Sequence, residues 1–191
     1  THPGWWISLC YIGFGKSMKD YLTRGNIKPY WTDEYKQFEY TRQPIKQSEI
    51  ETWRSWGYTH NTFSGVMYGQ AGGKNPMPDW VWDVADSMGL YNPGVVFYKM
   101  SCMEVMPNHE DHFETYCRVF GVERADVYRG LLMLEDWKSG HYLEMANHAY
   151  VNWNAGDYYV WSSDVVHAAS NIGPEPRWTL QITGTRHRAD T

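Results

Sequence analysis

Cysteine is scarce in this chain of 191 residues: Cys10, Cys102 and Cys117 are an odd number with no Cys-x-x-Cys spacing. That argues against both a disulfide framework and a zinc ribbon, and it fits a reducing, cytoplasmic setting. Long apolar runs are lacking as well. Stretches such as Gly94-Val95-Val96-Phe97-Tyr98 fall far short of the roughly 20 residues that a membrane-spanning helix needs. No charged-then-apolar segment follows Thr1, so neither a membrane nor a secretory route is expected. An excess of positive charge is the third absence, since 17 Lys and Arg stand against 22 Asp and Glu for a formal charge of −5. Such a surface repels a phosphate backbone, which disfavours nucleic acid as the main partner.

What is present fits one domain. A fold of this size buries roughly 70% of the surface its unfolded chain exposes. It needs no structural metal, and any metal is expected to be functional. The 11 Trp and 15 Tyr are read first as large core fillers. There is no internal repeat, but the character of the chain changes near Pro93-Gly94. Residues 1–93 read as an irregular, partly helical support packed outside a core formed by residues 94–184. Within that first half, Ser64 to Lys74 holds four glycines in eleven positions and reads as a loop, a candidate substrate lid. From Pro78 to Met88 the residues Trp80, Val81, Val84, Ala85 and Met88 recur at helical spacing, with Gly89 placed to end the helix.

After Gly94 the pattern turns to short β-like runs: Val95 to Met106, Val127 to Leu134, His141 to Met145, Ala149 to Trp153, Tyr158 to Trp161, Val165 to Ser170 and Trp178 to Thr183. Turn signals separate them, and a helix is expected over Asp111 to Val119. The fold class that follows is mainly β, a jelly-roll barrel with flanking helix. Trp153 with Gly156-Asp157 reads as a structural hairpin.

One stretch carries candidate chemistry. In an extended strand, residues two apart share a face, so His109 and Asp111 can reach one metal ion while Glu110 faces away. A His-x-Asp pair is weak evidence alone, and His109-x-x-His112 is a competing helical zinc pair. A later segment adds weight. His167 is followed ten positions on by Arg177, and in the final strand Arg177, Thr179, Gln181 and Thr183 share one face while Trp178, Leu180 and Ile182 share the other. Facing into a barrel, Arg177 would need an anionic partner, and its planar fork suits a carboxylate. Two His and one carboxylate are the facial set that leaves positions open on iron(II).

At this point the sequence resembles the iron(II)/2-oxoglutarate-dependent dioxygenases. Their pattern of His-x-Asp, a distal His and then a basic residue is matched by His109, Asp111, His167 and Arg177. The phrases Leu134 to Gly140, Trp153 to Asp157 and Arg177 to Gly184 look like the small stand-alone oxygenases, and more distantly like aspartyl/asparaginyl and prolyl hydroxylases. The resemblance covers about residues 94–184. It implies a double-stranded β-helix in which His109, Asp111 and His167 hold Fe(II) and Arg177 salt-bridges the distal carboxylate of 2-oxoglutarate. Thr179 stands where the family's Arg-x-Ser motif has a hydroxyl and is expected to share that carboxylate. Arg129 and Tyr98 resemble residues that lie near the cosubstrate in related hydroxylases. The implied reaction takes O2 and 2-oxoglutarate, hydroxylates an unactivated C–H bond of a small-molecule or peptidyl substrate, and releases succinate and CO2. The family's halogenases replace the carboxylate ligand with a small residue, whereas Asp111 is retained here.

Other histidines, His112, His141 and His148, read as polar residues at strand ends and turns, Glu110 and Glu114 as solvated, and Asn171 as a turn anchor. Two rivals remain. A cupin-like dioxygenase or isomerase would use the metal ligands without 2-oxoglutarate, and a jelly-roll carbohydrate-binding module would use the aromatics without any metal.

Overall fold

The computed structural model describes residues 22–42, 44–59, 63–70 and 75–186. Among them are ten strands: β1 (Leu22–Asn26), β2 (Val66–Gly69), β3 (Tyr91–Met100), β4 (Glu104–His109), β5 (Val127–Met133), β6 (His141–Met145), β7 (His148–Tyr150), β8 (Asp157–Ser162), β9 (His167–Asn171) and β10 (Arg177–Thr185). Helices are α1 (Gln47–Ser55), α2 (Trp80–Ser87) and α3 (Glu114–Phe120). The strands form a six-stranded sheet in the order β1-β8-β5-β10-β3-β2 and a four-stranded sheet in the order β4-β9-β6-β7. Every strand pair is antiparallel. From β3 onward the chain passes back and forth between the sheets, except at the β6–β7 hairpin within the smaller one, so β3, β10, β5 and β8 lie opposite β4, β9, β6 and β7. This is the eight-stranded jelly roll, or double-stranded β-helix. The N-terminal half adds β1 and β2 to the two edges of the larger sheet.

Side chains alternate across each strand, and this alternation gives the larger sheet two unlike faces. On β10, Arg177, Thr179 and Gln181 lie opposite Met100, Tyr98 and Val96 of β3. Thr179, Gln181 and Thr183 also lie opposite Met133, Leu131 and Arg129 of β5. These residues look into the barrel. Trp178, Leu180 and Ile182 look outward and join a second core with Phe97, Leu132, Val160, Tyr35 and the α2 residues Val81, Val84 and Ala85. Inside the barrel, Leu131, Met133, Leu143, Met145 and Trp161 form the inner core. Among the described residues, Tyr35, Trp178, Trp153, Tyr159 and Trp161 belong to these two cores, the role expected of large aromatics.

Helix α2 forms where its apolar residues recur, and it ends by a specific device. Gly89 takes φ +65°, its N–H donates to the Asp86 carbonyl at 2.9 Å, and the Leu90 N–H donates to that of Ala85 at 3.0 Å. That pair of bonds satisfies the carbonyls the last turn would leave open.

Several expectations need correction. Ser64 to Lys74 is not a loop throughout. Val66–Gly69 is strand β2, paired with β3, while Phe63 bridges Val105 of the smaller sheet. The segment therefore joins the two sheets. Its glycine content serves close approach as well as freedom, because a Cβ on Gly65 would sit 2.1 Å from the Lys99 carbonyl oxygen. Residues 71–74 of that stretch lie outside the described residues. The run from Val95 to Met106 is two strands, β3 and β4, with a turn at Ser101 to Met103 where Met103 takes φ 65°. The helix expected at Asp111 starts later, at Glu114. Trp153 to Asp157 is no hairpin, since β7 and β8 belong to different sheets, and it is a crossing between them. The 94–184 core begins earlier, at Tyr91, and is extended by strands from the half that precedes it.

Cys102 and Cys117 are free thiols, and Cys10 lies outside the described residues. Among the described residues no helix is long and apolar enough to cross a membrane.

Candidate metal centre and its cavity

His109 closes β4 and His167 opens β9, and the two are register partners across the ladder. Between Met106 and His109 the register shifts. Pro107 sits in that interval, where a residue without an N–H is tolerated. The ring centroids stand 4.2 Å apart. One device orients both rings: His109 Nδ1 lies 2.8 Å from the Pro107 carbonyl oxygen and His167 Nδ1 lies 2.9 Å from that of Val165. A carbonyl can only accept, so each Nδ1 carries the hydrogen and each Nε2 presents a lone pair.

Asp111 lies beyond β4, in irregular backbone, not within an extended strand as its spacing from His109 suggests. It nevertheless reaches the histidines. One ligand atom from each of His109, Asp111 and His167 lies within 4.8 Å of the others, and Asp111 Oδ2 stands 3.7 Å from His167 Nε2. Arg129 grips the carboxylate, Nε donating to Oδ2 at 3.0 Å and Nη2 to Oδ1 at 3.1 Å. Arg124 Nε donates to the Asp111 backbone carbonyl at 3.1 Å.

The electrostatics suit metal binding. Burial alone would favour a neutral Asp111, but Arg129, His167 and His109 hold its carboxyl well below the usual carboxylate range. Burial first, then the neighbouring His109, lowers His167 to about 4, so at neutral pH its imidazole is uncharged and able to ligate.

A cavity of about 110 Å³ opens beside these three residues. Its apolar walls include Met67, Met106, Leu131, Leu143, Trp161 and Ala169, and Arg177, Arg129, Tyr98 and Gln181 also face it. Arg177 is buried, donates from Nη1 to the Tyr142 carbonyl at 2.8 Å, and has an Nε without a hydrogen-bond partner. No carboxylate among the described residues pairs with it. Burial lowers its pKa to about 10. Thr179, two residues on, is fully buried and its hydroxyl also lacks a partner. Tyr98 is differently placed: its hydroxyl shares a 2.7 Å bond with Ser64 Oγ and accepts the Gly65 N–H at 2.5 Å. It forms cavity wall, with its polar end committed to the seam between the sheets.

The remaining sequence candidates fall away from this cluster. His112 is exposed, 3.8 Å from Glu49. Glu110 pairs with Arg124 and Glu114 with Lys46. Asn171 is the turn anchor expected of it, accepting from the Gly173 N–H and donating to the Glu175 carbonyl. His141 is buried, with a partnerless Nδ1, although its sequence context reads as a strand end. Thr183 lies on the polar face that the alternation of β10 predicts, whereas Arg124 was missed, since no local pattern marks it.

Eight antiparallel strands in two facing sheets define a double-stranded β-helix, and at one end of its barrel two histidines and one carboxylate are gathered where they could hold a metal ion. Solved structures with which the chain can be aligned include a Pseudomonas putida prolyl-4-hydroxylase, 19% identical over 74% of this chain and 84% of that one, with a TM-score of 0.48. SnoK, described as a non-heme alpha ketoglutarate dependent carbocyclase from nogalamycin biosynthesis, is 12% identical over 74% of this chain and 76% of its own, at a TM-score of 0.49. A cupin protein from Bacteroides fragilis is 12% identical over 81% and 91%, at 0.39. No protein-family model matches the chain, and no curated protein matches it in sequence.

Proposed function

We propose that the chain is an iron(II)- and 2-oxoglutarate-dependent oxygenase that hydroxylates a C–H bond of a small-molecule or peptidyl substrate. The observation that carries this reading is Arg177: a buried guanidinium that pairs with no carboxylate among the described residues, facing the cavity that His109, Asp111 and His167 also line. Isolated buried charge costs several kcal/mol, so an anionic ligand is the partner this arrangement calls for.

The donor set fits the group. Two imidazoles whose Nδ1 atoms are held by carbonyls, leaving Nε2 to ligate, and one ionised carboxylate suit iron(II) and leave room for further ligands. Iron(II) with 2-oxoglutarate and O2 would supply the oxidising power, so no protein acid or base is required. His109, Asp111 and His167 would hold the ion. Arg177 would receive the carboxylate of 2-oxoglutarate remote from it, with the Thr179 hydroxyl as a second donor. Leu131, Leu143 and Ala169 line the same cavity with apolar surface.

Iron(II) and 2-oxoglutarate mixed with the protein without oxygen should give the weak visible charge-transfer band of a chelated ketoacid. His109→Ala and His167→Ala should each abolish it. Arg177→Ala should leave iron affinity nearly intact and raise the 2-oxoglutarate requirement at least tenfold, because losing such a buried partner costs about 2–5 kcal/mol. Normal iron and cosubstrate binding in both His variants would show the ligand assignment to be wrong. An unchanged requirement in Arg177→Ala would favour a cupin-like enzyme that does without 2-oxoglutarate.

A further inference from the structure

We infer that Arg129 is a positioning residue for Asp111, a clamp that places this carboxylate for the metal, and that it makes no contact with the cosubstrate. This deepens the reading of the three-residue cluster as a metal site and rests on it. Two of the three proposed ligands are fixed by the sheet: His109 and His167 face each other across a strand pair, and a carbonyl two residues back holds each ring. Asp111 has neither support. It sits two residues past the end of β4 and before α3, where no ladder sets its backbone.

Arg129 has what Asp111 lacks. It stands in β5, between Thr183 of β10 and Trp161 of β8, so its Cα is as fixed as the barrel. Its guanidinium is engaged at all three nitrogens. Nε and Nη2 take the two oxygens of Asp111 at 3.0 and 3.1 Å, and Nη1 donates to Thr183 Oγ1 at 2.7 Å. The Phe113 ring covers it at 4.9 Å. The planar fork thus transfers the rigidity of β5 to a carboxylate on irregular backbone, a task for which a single ammonium lacks the geometry. Each carboxylate oxygen keeps a lone pair after accepting one N–H, and Oδ2 is the one near His167.

The two arginines at the cavity therefore differ in kind. Among the described residues Arg177 has an Nε with no partner and pairs with no carboxylate, whereas Arg129 has its carboxylate within the chain. The fork that would meet a carboxylate side-on is taken by Asp111 at Arg129, whereas at Arg177 the Nε stands open.

The test is cobalt(II) titration of metal-stripped protein, followed by d–d absorption and by 2-oxoglutarate titration of the iron(II) charge-transfer band at saturating iron. Arg129→Gln should weaken cobalt binding 10–100-fold, the usual effect of removing a group that orients a ligand. The 2-oxoglutarate dissociation constant should stay within about threefold of the parent's, by the same reasoning. Arg129→Lys should recover only part of the loss. Thr183→Val, which removes one support and keeps the fork, should fall between parent and Arg129→Gln, and it serves as the test if Arg129→Gln does not fold by circular dichroism. Unchanged cobalt affinity in these variants overturns the inference. So does a tenfold rise in the 2-oxoglutarate constant with cobalt affinity intact, since that would make Arg129 a cosubstrate contact. A parent protein that binds no cobalt or iron overturns the metal-site reading instead, and comparison of the parent with its variants tells the two failures apart.

Discussion

His141 shows how a residue without a place in the proposed chemistry still answers to it. Its ring stacks on Trp153, with 6.1 Å between centroids and 18° between planes, and Nε2 meets the Glu175 carbonyl at 2.9 Å. Burial lowers its pKa below the ordinary value, and the positive charges of Arg177 and Lys138 push the same way. In the unfolded chain the imidazole takes up a proton near pH 6.5. Below that pH the unfolded state binds more protons than the folded one, so the contribution of His141 to stability is complete above about 6.5 and is lost as pH falls toward the folded value. Unfolding free energies from urea titration should therefore drop between pH 7.5 and pH 5, by at most ~1.4 kcal/mol per pH unit from this group. His141→Phe should make that drop shallower while leaving the part due to His167, whose pKa is lowered to about 4. Parallel losses in parent and variant would assign the pH dependence to another group. Among single residues, the His109, Asp111, His167 and Arg177 constellation was legible because motif spacing survives folding. The linkage of Arg129 to Asp111 was not, since an ion pair eighteen positions apart depends on where two strands and a loop meet.

The elements that were legible are those whose patterns are purely local. Strand β6 has the bounds its sequence suggests, β10 shows its alternation, and α2 ends at Gly89. The turn between β3 and β4 was hidden because Met103, a residue with no turn preference, takes φ 65° there. Strand β2 was hidden because glycines that admit close backbone contact look like glycines that confer freedom. The turn feeding β10 uses such contact again. Ile172 donates to the Gly140 carbonyl at 3.0 Å, and a Cβ on Gly173 would lie 1.9 Å from the Ser139 carbonyl oxygen. Backbone cannot yield as a flexible side chain can. Gly173→Ala should therefore cost about 1–3 kcal/mol as an overpacking change, and by displacing the turn that delivers Arg177 it should also raise the 2-oxoglutarate requirement. Thermal unfolding and cosubstrate titration of the same variant would check both parts; a stability loss with unaltered titration would separate the turn from Arg177.

At the scale of the molecule, the larger sheet is a wall between unlike spaces: the polar-lined cavity on one side and the aromatic core under α2 on the other. The expected architecture, a barrel with support packed outside it, holds in outline, but the support also contributes β1, β2 and the seam at Phe63. These long-range joins leave no mark in local periodicity. The wall gives β10 something like a reading frame of two. One residue inserted between Arg177 and Thr183 would send Arg177 into the aromatic core and Trp178 into the cavity, and such a chain should fail to fold. Two inserted residues would keep every side chain in its own space while carrying Arg177 about 7 Å along the barrel. That chain should show cooperative unfolding and normal cobalt binding without measurable 2-oxoglutarate affinity. Equal folding of the two insertions would mean the strand tolerates a frame shift. For lineages of this fold, length changes in β10 would then be filtered by parity before they are filtered by chemistry.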